Sequence, residues 1–198
     1  MTIMFNDVER FILERWTEVV GLIDAHETLQ DRLEEQIQSV ADRVGRWARP
    51  QGFEVDSSPR DGEINAWKPA WADRRKDPKV FLTIGGFYPI GFRKVEDSHP
   101  YMWVYTLNLE QYKLKEQQRT AFAHALRTAL GGRAREWEAH DVDDLEGPLG
   151  RYLVEYDNTF RVKLLLDPDA LFEFCTKLFE SLFALADTID AELQRLGK

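Results

Sequence analysis

Hydrophobic positions in the first quarter of the chain recur at helical spacing. Val8, Phe11, Ile12, Trp16, Val19 and Ile23 follow Asn6-Asp-Val-Glu9, which fits a capping box: an N-cap side chain and a glutamate three residues on satisfy two backbone N–H groups reciprocally. A second run, Leu29, Leu33, Ile37, Val40, Val44 and Trp47, leads up to Pro50 and Gly52, which supply the stop. Joined, the two runs keep near-heptad spacing from Ile12 to Trp47, with His26 and Gln30 as the polar members of the stripe. One unbroken helix would be about 60 Å long at about 1.5 Å per residue. That exceeds the diameter of a compact domain of this size, so a kink or break is expected between Gly21 and Thr28. The alternative is a helical arm over 6–49 that protrudes as an antiparallel coiled coil or dimer arm.

From Phe53 the period shortens to two. Phe53, Val55 and then Ile64 to Trp67 read as extended segments flanking the turn-prone Ser57-Ser-Pro-Arg-Asp-Gly62, a hairpin pattern. Lys79 to Ile84, Phe87 to Val95 and Tyr101 to Leu107 read as three more strands, the last with Tyr101, Trp103, Tyr105 and Leu107 on one face. An antiparallel meander is the simplest arrangement. Glu116 to Leu130 has helical composition and meets Gly131-Gly132, which suits a left-handed C-cap. Short strands are expected near Arg135 to Ala139 and Arg151 to Tyr156, with an acidic loop between them.

Asp167 as N-cap and Pro168 at the first helical position open the clearest helix. Its wide stripe runs from Leu171, Phe172 and Cys175 to Leu193 and Leu196 and marks a core helix. The pattern predicts one α+β domain over 1–198. An antiparallel sheet of about five to seven strands is packed with an N-terminal helical region and a long C-terminal helix.

Composition supports folding without adding a site. Hydrophobic residues make up 43% and charged residues 31% of 198 positions, which is ordinary for a globular chain. No basic n-region precedes an apolar stretch at the start, and the weakly polar run from Phe81 to Phe92 is broken by Gly85, Gly86, Pro89 and Gly91, so a cytoplasmic protein with no membrane span is expected. The single cysteine, Cys175, excludes an intrachain disulfide and a Cys-based zinc site, and its apolar neighbours suit a buried small hydrophobe better than a catalytic thiol. A formal net charge of −9 opposes phosphate binding unless basic residues cluster locally. Arg74-Arg75-Lys76 with Lys79, and Arg127, Arg133 and Arg135, are the two such groupings.

Candidate chemistry is sparse. Glu136, Glu138, His140, Asp141, Asp143, Asp144 and Glu146 form the densest polar cluster, but an EF-hand counted from Asp141 would place Leu145 and Tyr152 at ligand positions. A solvated acidic loop that presents charge to a basic partner fits better. The histidines, His26, His99, His124 and His140, form no zinc-binding spacing, and no phosphate-cradling or nucleophile-elbow motif occurs.

Ala66-Trp-Lys-Pro-Ala-Trp71, followed by the apolar Lys79-Val-Phe-Leu-Thr-Ile-Gly-Gly-Phe-Tyr-Pro-Ile-Gly-Phe92, is the most distinctive stretch. Over Leu29 to Leu107 and the final helix around Ala186-Asp-Thr-Ile-Asp-Ala-Glu-Leu193, the chain resembles the C-terminal region of PD-(D/E)XK-like phage-defence proteins. That resemblance implies a bacterial or phage-borne protein connected with phage–host conflict. It also implies, for an active member, a magnesium-dependent nuclease centre, for which Asp61, Glu63, Asp77 and Lys79 are the matching residues here. Asp77-Pro78-Lys79 departs from the family pattern because a proline stands between acid and lysine.

The expected function is therefore a non-catalytic protein-interaction module with no cofactor. Trp67, Trp71, Tyr101, Trp103, Asp141, Asp143 and Asp144 are its candidate binding residues, its partner is a protein, and homodimerisation through the N-terminal helices is open to it. The alternatives are the Mg-dependent nuclease and an acidic DNA-mimic inhibitor, whose carboxylates would form a stripe at phosphate-like spacing.

Overall fold

The capping box forms as its residue types dictate: Asn6 Oδ1 accepts from the Glu9 N–H at 2.9 Å, and the Asn6 N–H donates to Glu9 Oε2 at 2.7 Å. It starts α1, Asp7–Glu14, and after a one-residue break at Arg15 (φ −117°, ψ 32°) the chain continues as α2, Trp16–Ala48. The computed structural model describes residues 6–72, 75–89, 99–106, 116–137 and 149–196.

Of the kink or break expected between Gly21 and Thr28, no break occurs: α2 is helical throughout that span. The expectation assumed that the whole helix must fit inside the body, whereas none of α1 and no residue of α2 before Leu33 is buried. Outside the body nothing forces a bend, and one glycine costs a helix only about 1 kcal/mol. At about 1.5 Å per residue the 33 residues of α2 span roughly 50 Å.

Five strands follow in a meander, ordered β1-β2-β3-β4-β5 with every neighbouring pair antiparallel. They are β1 Glu54–Ser58, β2 Glu63–Trp67, β3 Val80–Gly85, β4 Tyr101–Thr106 and β5 Leu149–Tyr152. The expected hairpin is β1–β2, turned by Pro59–Asp61 and by Gly62, whose φ of +67° is a left-handed value that glycine adopts without strain. Pairing sends Ile64 and Ala66, Leu82 and Ile84, Met102 and Val104 to one face, and all six are buried. α2 covers this face at β1, and α5 covers it at β3 and β4.

The long C-terminal helix divides into α5, Pro168–Phe183, and α6, Ala186–Arg195. A further helix, α4, Asn158–Leu166, precedes them. Asp157 caps α4 by accepting from the Phe160 N–H at 2.8 Å, and Asp167 caps α5 through the Asp169 and Ala170 N–H groups. Between α5 and α6 the chain turns at Ala184 and Leu185, and burial of Leu185 and Ala186 anchors the turn to the core.

α3, Glu116–Leu130, ends at Gly131, whose φ is +58°. The chain then forms a 3-10 turn through Glu136, so Arg135 to Trp137, expected to begin a strand, are not in one, and Glu138 and Ala139 lie outside the described residues. Of the strand expected from Phe87 to Val95, Phe87 and Tyr88 are buried outside any ladder, and residues from Ile90 onward lie outside the described residues. Arg161 on α4, fully buried, donates from Nη1 to the Tyr88 carbonyl at 2.8 Å and to the Gly86 carbonyl at 3.4 Å, fixing the turn that leaves β3.

Candidate functional site

The expected nuclease residues occupy two ends of the sheet. Asp61 and Glu63 flank Gly62 at the β1–β2 turn, and Ile64 lies opposite Ile84, which sets Glu63 beside Gly85 at the far end of β3. Asp77 and Lys79 precede Val80 at the near end of β3, roughly 20 Å away along the strand at about 3.3 Å per residue. These four side chains therefore do not share one coordination sphere. Among the described residues no group of three or more His, Cys, Asp or Glu is placed to hold a metal ion.

Three of the four aromatic candidates, Trp71, Tyr101 and Trp103, are spent inside the molecule. Trp71 is 2% exposed, and its indole N–H donates to Asp190 Oδ1 at 2.6 Å, while Lys68 Nζ meets Asp190 Oδ2 at 2.5 Å. Trp103 is equally buried and lies over Gly150, and the hydroxyl of buried Tyr101 donates to Glu63. Trp67 is half-buried and lines an open groove of about 540 Å³ with Arg49, Glu54, Asp56 and Pro69. Asp141, Asp143 and Asp144 lie outside the described residues. Arg127 sits in the last turn of α3, with Arg133 and Arg135 just beyond it, where cations complement the negative end of the helix dipole.

Cys175 is fully buried on α5, and burial pushes its thiol far above the usual range, so it carries no thiolate for catalysis at neutral pH. An acid whose folded pKa is raised favours folding below its unfolded value, near 9, and loses that advantage as pH climbs toward the folded value. From about pH 9 upward this one thiol should cost the folded state about 1.4 kcal/mol per pH unit. Urea unfolding of wild type and Cys175→Ala at pH 8 and pH 10 checks this, with the stability gap between them closing at the higher pH.

The surface that sequence reasoning left without a named residue is the arm formed by α1 and the first half of α2. Val8, Phe11, Leu13, Trp16, Leu22, Ile23 and Leu29 are all exposed there, with Leu22 at 71% and Trp16 at 58%. Most of the exposed large hydrophobic side chains among the described residues belong to this segment.

No family model, curated protein or solved structure matches the chain.

The signal for the arm was present in the spacing. The buried seam of α2, Leu33, Ile37, Val40 and Val44, continues outward at heptad intervals through Ile23, Val19 and Trp16, beyond the point where the sheet and α5 stop covering it. Single exposed apolar side chains are unremarkable, but several of them gathered on one projecting segment mark a contact surface. Acidic residues line another part of α2: Glu34, Glu35 and Asp42, with Gln38, Ser39 and Pro59, border a shallow groove of about 450 Å³. No helix among the described residues is long and apolar enough to cross a membrane.

Proposed function

We propose that this chain is a non-catalytic protein-interaction module of the cytoplasm, connected with phage–host conflict, whose contact surface is the N-terminal helical arm. The observation that carries the reading is the set of exposed apolar side chains on the arm, Val8, Phe11 and Leu13 on α1 and Trp16, Leu22, Ile23 and Leu29 on the first half of α2, whose other half is anchored in the core. A helix-in-groove or helix–helix contact uses anchors at this spacing. The phage connection rests on the resemblance of the Trp67–Trp71 region and the final helix to PD-(D/E)XK-like defence proteins. The separation of Asp61 and Glu63 from Asp77 and Lys79 favours binding over nuclease chemistry.

Affinity capture from a native bacterial lysate tests the module. Tagged wild type should retain a protein that Trp16→Asp/Ile23→Asp does not, with both baits showing the same urea midpoint because neither position is buried in the body. Identical capture by the two baits, or none by either, would sink the arm as a docking site for a protein other than this chain. Unchanged phage plating across a panel, with and without the gene, would remove the phage connection.

A further inference from the structure

The occupant of the arm can be specified further, resting on the reading of the arm as a contact surface. We infer that two copies of this chain pair through their arms as an antiparallel, two-fold helix pair whose axis passes near Gly21.

The direction follows from α2 itself. Leu33, Ile37, Val40 and Val44 carry the seam into the body, and the helix is unbroken from Trp16 to Ala48, so the exposed seam faces the same way as the buried one. In a parallel pair the second copy's α2 would continue past Leu33 into the space held by β1 and α5. In an antiparallel pair the second copy's N-terminal tip ends where the first copy's body begins. Residues 7–32 of the two copies, about 40 Å of helix at about 1.5 Å per residue counted across the break at Arg15, then lie side by side.

The spacing fixes one register. Seam layers pair Val19 with Ile23 of the second copy, Trp16 with His26, and Ile12 with Gln30. Residues flanking the two-fold axis meet their own copies, and these are Val20 and Leu22, both apolar, so no like charges collide at the centre. Glu14, Glu18, Asp24 and Asp31 fall on the outer positions of the heptad, away from the seam. Raising the salt concentration screens what repulsion they exert across the pair and should tighten it.

The area suffices. Phe11 shares the outer heptad position of Glu18, and the other six large apolar side chains, each about half exposed or more, would remove roughly 600 Å² per copy, about 1,200 Å² in all, at the lower end of the range of specific interfaces.

Sedimentation and cysteine mapping test the pair. At about 100 µM, corresponding to an easily reached affinity, wild type should sediment at twice its 23.1 kDa chain mass, and Trp16→Asp/Ile23→Asp as a monomer with unchanged core stability. Cys175 is buried and gives no background. A short bis-maleimide should link Leu22→Cys to itself. It should link Leu13→Cys only when that variant is mixed with Glu27→Cys. Self-linking of Leu13→Cys would mean a parallel pair and overturn the inference. A monomer at this concentration overturns the second copy as occupant but leaves the contact surface standing if lysate capture still depends on Trp16 and Ile23. If the substitutions alter neither sedimentation nor capture, the surface falls as well.

Discussion

Gly150→Ala should destabilise the protein by about 3 kcal/mol, the upper part of the range for forcing extra volume into a packed site. Gly150 on β5 pairs with Trp103 on β4, and the Trp103 ring lies directly over it. A methyl group built on Gly150 would come within 1.7 Å of Trp103 Cε3 and 2.0 Å of Cδ2, so the indole would have to leave its place. Trp103 has little room to move: it is 2% exposed and makes an edge contact with Tyr152 at 5.5 Å between ring centroids. For a chain of this size the cost corresponds to a fall of roughly 6–12 °C in Tm. Gly132→Ala is the control, because a side-chain carbon there meets nothing within 4 Å and its backbone is not left-handed, so it should melt with wild type. In a Trp103→Leu background the penalty at Gly150 should fall to under about 1 kcal/mol, since a neighbouring pair couples strongly. A Gly150→Ala protein melting within a degree or two of wild type would show that the indole does not rest on this strand.

That packing also explains which features could be seen from the residues alone. The capping box at Asn6, the helix stop at Pro50 and Gly52, the β1–β2 hairpin and the Asp167-Pro168 helix start are local devices in which residues a few positions apart satisfy one another, so the sequence displays both halves. The heptad stripe of α2 was equally plain. Whether the body covers it was not, because the end of coverage at Leu33 depends on where β1 and α5 finish, and neither is adjacent in the chain. α4 escaped notice because its run, Asn-Thr-Phe-Arg-Val-Lys-Leu-Leu-Leu, has scarcely any amphipathic rhythm, and its central Arg161 is buried against carbonyls more than seventy residues away. Aromatic residues were the hardest to place. Alternation along β4 puts Tyr101 and Trp103 on one face, but nothing local reveals that the face is closed around Gly150 and Gly85. Asp61, Glu63, Asp77 and Lys79 are close in sequence, yet an antiparallel ladder carries the second pair to the opposite end of the sheet from the first.

Asp190→Ala is expected to cost about 2 kcal/mol, although Asp190 is not buried and looks like any helix-surface carboxylate. Its two oxygens have different duties. Oδ1 is the acceptor for the Trp71 indole N–H, and that ring is wedged at 5.8 Å edge-on to Phe53, which stacks on Phe183. Oδ2 holds Lys68 Nζ in a partly exposed ion pair, which solvent weakens to a small contribution. Most of the cost therefore comes from stranding a buried donor, and the substitutions that separate the two duties should differ. Asp190→Asn keeps an acceptor for the indole and should lose about 1 kcal/mol or less. Asp190→Ala combined with Trp71→Phe removes donor and acceptor together, so the double variant should be less destabilised than the sum of the single changes, with a coupling of about 1 kcal/mol in urea unfolding. If Asp190→Ala proves neutral, Trp71 is not tied to α6 and is free to serve as the recognition side chain that its sequence context suggested. If the coupling appears, Trp71 is a bolt between the β2–β3 connection and α6, and recognition falls to side chains the fold leaves uncovered, of which the arm has the longest row.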